Sequence, residues 1–297
     1  MNLLERWGRR KNGSADRGLC DPRPHPLDFI WLELTGKCNL ECVHCYAGSS
    51  MLAEEYLKTD DWMSILVDGS QAGCKGVQFI GGEPTLFADL PLLIEKSREL
   101  GYEYVELFTN ATRLTDAMLD DLEAYNVQVA TSFYSHSAET HESITQAKGS
   151  FDSTVDGIRR TVGRDIPLRV GLIRLPQNAT DLEAATDFLV QLGVARDRVI
   201  VDRVRGHGRA EMIVNEHNEY SGLCGHCGDG RLAVAYDGSV FPCIHARQFK
   251  LGNAPHDSLD EIAGSPQLSE FRQAMLANLD DQVRKAVLDD LHSPRGL

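Results

Sequence analysis

Short apolar runs and amphipathic stretches alternate along most of the chain. Between residues 28 and 205, runs rich in β-branched and aromatic residues predict strands, and apolar positions at helical spacing predict helices between them. Six such strand–helix repeats are typical of a parallel α/β sheet or barrel. The expected strands are 28–35, 76–80, 104–109, 127–133, 168–175 and 199–204; the expected helices open at Thr59, with Thr59 or Asp60 as cap, and cover about 88–100, 116–125 and 180–192, with a long loop and helix over 137–163.

A loop with three cysteines follows the first predicted strand. Cys38, Cys42 and Cys45 fall close together there, and three thiolates on one loop can hold three irons of a cubane cluster, leaving the fourth iron open. An open metal site is reactive because a substrate can bind there. A structural metal knuckle would need a fourth ligand, and His44, inside the Cys42–Cys45 spacing, would point away from a metal that both thiols bind. The loop therefore predicts an open iron–sulfur cluster.

A Gly-Gly-Glu-Pro segment ends the second predicted strand. Gly81 and Gly82 would let the backbone approach a ligand closely. The Glu83 carboxylate can accept a charge-assisted hydrogen bond from an ammonium group. Alone, the segment through Pro84 would be a plain turn, but one strand–helix–strand unit after the cysteine loop it indicates a ligand site.

At these two motifs the chain resembles the radical S-adenosylmethionine (SAM) superfamily, over residues 28–265. The resemblance implies a partial (β/α)6, TIM-like barrel that binds a 4Fe–4S cluster and SAM at the C-terminal ends of its strands. It also implies which residues contact SAM: His44, Gly81, Gly82, Glu83, Pro84, Asn110, Ser132 and Arg174.

A second cysteine group lies around a predicted hairpin. Asp237-Gly238 between two apolar runs is a strong hairpin signal, and the hairpin would bring Cys243 back beside Cys224 and Cys227. With His245 these thiols are also the ligand set of a closed Cys3His zinc ribbon. Beside a radical SAM loop the segment resembles a Twitch, or half-SPASM, domain. This resemblance implies an auxiliary 4Fe–4S cluster, and the identity of its fourth ligand is left undetermined. No cysteine follows Cys243, so a second auxiliary cluster is excluded.

The pattern divides the chain into four segments. We expect an N-terminal arm over 1–27, the barrel over 28–205, the auxiliary segment over 206–265, and a helix with an acidic tail over 266–297. Cys20, on the arm, belongs to neither cysteine group. It is a candidate hydrogen-atom donor or auxiliary-cluster ligand, or it has no role. The stretch from Lys148 to Phe151 resembles a KGSF loop of peptide-modifying members; alternatively, Ser150 simply caps a helix.

Composition narrows the possible partners and location. The net charge of −14 disfavours a nucleic-acid substrate. The eight cysteines are grouped like metal ligands rather than scattered like a disulfide framework, which fits a reducing cytosol. No signal core or run of transmembrane length is evident, so we expect a cytoplasmic protein without membrane contact.

The resemblance implies an enzyme that cleaves SAM reductively to a 5′-deoxyadenosyl radical, which abstracts hydrogen from an unactivated carbon. An external one-electron reductant of the flavodoxin or ferredoxin type would supply the electron. Relatives with this auxiliary segment mostly modify ribosomal peptides, so cross-linking, oxidation or epimerisation of a peptide is the first hypothesis. A dehydrogenase or epimerase of an aminocyclitol or aminosugar is the second. A non-enzymatic iron–sulfur or zinc redox scaffold is the third, and it would not need the Gly-Gly-Glu-Pro segment.

Overall fold

The computed structural model describes residues 26–54, 56–214 and 218–279. One nine-stranded sheet, in the order β6-β5-β4-β3-β2-β1-β7-β8-β9, organises these residues. The strands are β1 (Phe29–Glu33), β2 (Gly76–Ile80), β3 (Tyr104–Phe108), β4 (Gln128–Phe133), β5 (Leu168–Arg174), β6 (Val199–Arg203), β7 (Arg231–Val234), β8 (Ser239–Phe241) and β9 (Gly252–Asn253). The α-helices are α1 (Thr59–Gln71), α2 (Leu90–Glu99), α3 (Asp116–Ala124), α4 (Ala138–Thr145), α5 (Ser150–Gly163), α6 (Leu182–Gln191), α7 (Leu259–Ala263) and α8 (Pro266–Asn278).

Strands β1 to β6 lie side by side in chain order and are all parallel, as the alternating pattern predicted. Helices connect them, which parallel neighbours require. One side of each strand carries apolar residues that are buried under the helices, because successive side chains point to opposite faces of a sheet. The main members of this core are Ile30, Leu32, Trp62, Val77, Phe79, Leu93, Val105, Leu107, Val129, Val170 and Leu172.

Two predicted helix starts are wrong. Lys58, and not Thr59 or Asp60, is the N-cap of α1, and its backbone N–H donates to the Asp61 carboxylate at 2.9 Å. The Thr59 hydroxyl is unavailable for capping because it donates to Asp89. Gly149 is the N-cap of α5, whereas the Ser150 hydroxyl is hydrogen-bonded to Thr145 at 2.7 Å.

The hairpin that follows the barrel continues the same sheet. β7 is parallel to β1, with Phe29 opposite Arg231, and β8 and β9 add antiparallel strands. Gly238 adopts φ +83° in the predicted Asp-Gly turn, where the Asp237 carboxylate accepts from the Ser239 N–H at 2.9 Å. The predicted boundary at residue 205 thus falls between two strands of one sheet.

An ion pair with a buried carboxylate joins the hairpin region to the barrel. Arg247 donates through Nη1 to both carboxylate oxygens of Glu33, at 2.7 and 2.6 Å, and Glu33 lies on β1. In the described part of the chain, no helix has the length and apolar character needed to cross a bilayer. Cys20 and the tail beyond residue 279 lie outside the described residues.

Candidate active site

Residues 38–49, here called the cluster loop, follow β1 and form neither helix nor strand. An irregular segment needs outside partners for its backbone groups, and α4 supplies two of them. The N–H of Glu41 donates to the Thr145 carbonyl at 3.1 Å, and that of Val43 donates to the Ile144 carbonyl at 2.9 Å. The open carbonyls at the end of α4 are thereby satisfied by the loop.

The Gly-Gly-Glu-Pro segment packs directly on the backbone that leads into the cluster loop. Gly82 N–H donates to the Thr35 carbonyl and Glu83 N–H to the Lys37 carbonyl, both at 2.7 Å. A Cβ on Gly82 would lie 2.1 Å from the Lys37 oxygen, and one on Gly81 would lie 2.7 Å from the Thr35 oxygen. The close approach that demands glycine is therefore made to the chain itself, and the predicted contact of the two glycines with a ligand stays a prediction.

The Glu83 carboxylate is fully buried and accepts four hydrogen bonds. Oε1 accepts from the N–H and hydroxyl of Thr85, at 3.1 and 2.7 Å, and from the Thr109 hydroxyl at 2.6 Å. Oε2 accepts from the Asn110 N–H at 2.8 Å, which leaves acceptor capacity on that oxygen. Burial raises the pKa of Glu83, and no described cation forms an ion pair with it. The Glu83 carboxylate thereby links the end of β2 to the end of β3.

The side chain of Asn110 contacts the cluster loop. Its Nδ2 donates to the Asn39 side chain at 2.9 Å and lies 3.9 Å from the Cys38 sulfur. Its Oδ1 accepts from the N–H and hydroxyl of Thr112, at 3.0 and 2.7 Å. The structure thus gives Asn110 a supporting role that sequence reasoning missed, together with Asn39; the predicted contact with SAM stays a prediction.

The three cluster-loop thiols lie near one another in a buried site. Burial, together with the negative charge of neighbouring groups, raises the pKa of Cys38 to about 11 and that of Cys42 to about 12. The Cys38 sulfur also accepts from the Leu40 N–H at 3.4 Å. Metal ligation requires the deprotonated form, so binding of iron here must release these protons. A convergent thiol triplet with an N–H donor fits an iron–sulfur cluster.

Tyr134, just after β4, is a site residue that sequence reasoning missed. Its hydroxyl interacts with the Cys42 thiol and with the hydroxyl of Ser132, and burial raises the pKa of Tyr134 well above its usual value. Its ring meets the His44 ring edge-on at 5.0 Å. Burial lowers the pKa of His44 to about 4, so this imidazole is neutral at physiological pH. The position of Tyr134 directly after a barrel strand is the sequence feature that could have identified it as a site residue.

Arg174 and Pro84 complete the predicted SAM contacts. Arg174 is exposed at the end of β5, where its Nη1 lies 3.4 Å from the Ala179 carbonyl. Within the described residues it shares no hydrogen bond with the cluster loop. Pro84 is buried and opens the 3-10 turn after Glu83. The structure therefore gathers His44, Glu83, Asn110 and Ser132 around the loop, but not Arg174.

The second thiol triplet is Cys224, Cys227 and Cys243, here called the auxiliary triplet. The Cys227 and Cys243 sulfurs are 2.9 Å apart without a disulfide. Cys224 is exposed, and a hydrogen bond from the Cys227 thiol lowers its pKa. The hairpin thus brings the three thiols together as the sequence predicted.

His245 does not join the auxiliary triplet around one ion. Its ring lies edge-on to Tyr46 at 5.2 Å and stacks near His207 at 6.3 Å. Burial lowers the pKa of His245 to about 3. In residues 26–54, 56–214 and 218–279, no three Cys, His, Asp or Glu side chains are arranged as ligands of a single metal ion. A cubane differs, because each thiolate binds a separate iron, so the geometry does not support the Cys3His zinc alternative.

Comparison with known families identifies the class. The radical SAM superfamily matches residues 32–189, and the SPASM iron–sulfur cluster-binding domain matches residues 224–285. Because the first match spans more than half of the sequence, the chain belongs to the radical SAM superfamily. It is therefore an enzyme that binds a 4Fe–4S cluster and SAM, and the second match points to additional iron–sulfur chemistry in the auxiliary segment.

The names of individual relatives describe different products. The antilisterial bacteriocin subtilosin biosynthesis protein AlbA of Bacillus subtilis is 27% identical, over 88% of this chain and 65% of its own length. The Fe-coproporphyrin III synthase of Methanosarcina barkeri is 29% identical, over 63% of this chain and 46% of its own length. The chain thus spans less than two thirds of both proteins.

A solved structure shares the fold. Streptococcus suis SuiB bound to its precursor peptide SuiA superposes with a TM-score of 0.70, at 15% identity, over 91% of this chain and 76% of SuiB.

Proposed function

We propose that this chain modifies a ribosomally made peptide by removing a hydrogen atom from an unactivated carbon. The observation that carries the proposal is the likeness to AlbA over 88% of the chain, since AlbA is named for the biosynthesis of a bacteriocin. The fold shared with SuiB, whose structure contains a precursor peptide, supports the same substrate class. The product would be a cross-linked, oxidised or epimerised residue.

The cluster loop would hold the catalytic cluster through Cys38, Cys42 and Cys45. When bound there together with SAM, the cluster would supply the reductive cleavage of SAM to a 5′-deoxyadenosyl radical. The electron comes from an external donor of the flavodoxin or ferredoxin type. The buried surroundings of Cys38 and Cys42 would keep water away from the reacting groups.

Glu83 would accept the SAM ammonium through the free capacity of Oε2. A fully buried carboxylate with no described counter-cation is costly, and an ammonium ligand would offset that cost. The four protein donors fix the carboxylate in place before SAM arrives. Neutral His44 and the Ser132 hydroxyl are the proposed neighbours of the adenosine, and Arg174 remains the weakest candidate because it is exposed.

The auxiliary triplet would hold a second 4Fe–4S cluster. His245 faces Tyr46, so a fourth ligand would come from Cys20, solvent or the substrate. If the fourth ligand is the Cys20 thiolate, the cluster can take an electron from a product radical. If Cys20 remains a free thiol, it can return a hydrogen atom and give epimerisation.

A small molecule is the second candidate substrate. The relative named Fe-coproporphyrin III synthase favours this class, since its name describes a tetrapyrrole product. An aminocyclitol or aminosugar would belong to the same class.

The decisive experiment supplies the reconstituted, reduced enzyme and SAM with candidate precursor peptides encoded beside its gene, and in parallel with aminosugars and porphyrinogens. We expect 5′-deoxyadenosine together with a peptide that has lost hydrogen, or has taken up deuterium from heavy water without losing mass. The matched control is the Cys38→Ala, Cys42→Ala, Cys45→Ala variant. Turnover of a small molecule with every peptide unchanged would contradict the proposal.

A further inference from the structure

Arg209 lies just after β6, far from the cluster loop in sequence, yet it touches the loop at three points. Its backbone N–H donates to the Cys45 carbonyl at 3.0 Å. Its Nε donates to the Cys42 carbonyl at 2.8 Å, and its Nη1 donates to the Ser49 carbonyl at 3.0 Å. One guanidinium thus spans the second half of the loop, from the second cysteine to its end.

The residue before Arg209 makes this approach possible. Gly208 has φ +59°, and a Cβ there would lie 2.4 Å from the Tyr46 carbonyl and 2.5 Å from that of Cys45. Only glycine combines that backbone conformation with such a close approach. The Gly208-Arg209 pair is therefore fitted to the backbone of the loop rather than placed beside it by chance.

One donor of Arg209 has no acceptor in the described structure. Its Nη2 is buried and makes no hydrogen bond, and the hydroxyl of Ser49 is likewise buried without a partner. A buried donor on a charged group is costly to leave unsatisfied. These features indicate a negatively charged or accepting group that enters the loop.

We propose that Arg209 is a positioning residue that holds the cluster loop in its cluster-binding conformation and reserves Nη2 for an acceptor brought by the bound cofactors. The first part acts before any iron arrives, because both side-chain bonds are to loop carbonyls. The second part places a fixed cation beside an anionic cluster, which stabilises its more negatively charged, reduced state. The proposal needs no assumption about the substrate.

Three variants separate the clamp from the charge. Arg209→Lys keeps the charge but cannot bond two carbonyls through one planar fork. Arg209→Gln removes the charge. Gly208→Ala keeps Arg209 but forces it away from the loop. The matched controls are Arg196→Lys and Arg196→Gln, since Arg196 lies before β6, away from the cluster loop, and pairs with exposed Glu183.

Hydrogen exchange in the apo-protein tests the clamp. We expect amides of residues 42–49 to exchange roughly ten-fold faster in all three variants, while amides of β3 and β4 stay protected and show that the chain is folded. After reconstitution, a chelator should remove iron from the SAM-binding cluster faster in the same variants. Wild-type exchange and iron retention in Arg209→Lys would overturn the clamp.

The midpoint potential of the SAM-responsive cluster tests the charge. Arg209→Gln should shift this potential to a more negative value, whereas Arg209→Lys should leave it near that of the wild type. Equal potentials in Arg209→Gln and the wild type would overturn the second part of the proposal. The Arg196 variants should match the wild type in every measurement.

Discussion

The two cysteine triplets are built in opposite ways. The cluster-loop triplet lies on an irregular segment whose backbone is held by α4 and Arg209, and the Gly-Gly-Glu-Pro segment holds the residues that lead into it. The auxiliary triplet is formed by one knuckle and one hairpin, and Cys224 is exposed. The first site thus depends on residues from the whole barrel, whereas the second depends mostly on its own neighbourhood. Replacement of the cysteines should therefore have different consequences at the two sites.

The sharpest test of the comparison removes each triplet in turn. Replacement of Cys38, Cys42 and Cys45 by Ala should abolish 5′-deoxyadenosine formation, because no thiolate remains to hold the catalytic irons. Replacement of the auxiliary triplet should retain SAM cleavage. The wild type should contain about eight irons per chain and either variant about four. Four irons plus one zinc in the wild type would restore the zinc alternative, and SAM cleavage by the first variant would contradict the assignment.

Glu83→Gln should raise the SAM dissociation constant roughly ten-fold or more, since a charge-assisted hydrogen bond is worth about 1.5–3 kcal/mol. Isothermal titration of the reconstituted enzyme measures this. Thr85→Val is the control, because it removes one donor to Oε1 but keeps the carboxylate charge. An unchanged isotherm for Glu83→Gln would leave Glu83 as a purely structural link.

Gly82→Ala should destabilise the barrel, since its Cβ would lie 2.1 Å from the Lys37 carbonyl oxygen. Overpacking of this kind costs about 1–3 kcal/mol of the free energy of unfolding, measurable by urea denaturation of the apo-protein. Gly171→Ala is the matched control on β5, where the nearest atom is 3.8 Å away. Equal stability of the two variants would mean that the Gly-Gly-Glu-Pro segment tolerates displacement.

A pH-dependent effect concerns His141 on α4, the helix that supports the cluster loop. Burial lowers the pKa of His141 to about 4, from 6.5 in the unfolded chain. The unfolded state therefore binds more protons between these values, and stability is lost as the pH falls through that window. The free energy of unfolding should fall by at most about 3 kcal/mol as a result.

His141→Phe should flatten this acid dependence, because Phe133 and Phe151 surround the ring and accept an apolar neighbour. Parallel slopes of unfolding free energy between pH 6.5 and 4 in variant and wild type would count against the assignment of this effect to His141.

Sequence reasoning succeeded where a feature is local in the chain. The strand–helix alternation, both cysteine groups and the Asp237-Gly238 hairpin follow from short patterns, and the structure has them. It failed where a distant partner decides the outcome. Thr59 does not cap α1 because Asp89, which lies 30 positions further along the chain, accepts its hydroxyl.

The supporting residues of the cluster loop were missed for the same physical reason. Tyr134 and Arg209 belong to no motif, and only the folded sheet brings them to the thiols. A cysteine pattern identifies what binds a cluster. The residues that shape the surrounding loop become visible only after the strands have been placed side by side.

The pairing of β7 with β1 has a consequence for synthesis on the ribosome. Residue 29 must wait for residue 231 before that edge of β1 is covered. Until then a growing chain exposes unpaired backbone along an apolar strand, and such edges favour association with other chains. Contacts between residues so far apart in sequence also slow folding. The shared sheet that joins the two cysteine triplets therefore makes the nascent protein vulnerable to aggregation until β7 has emerged.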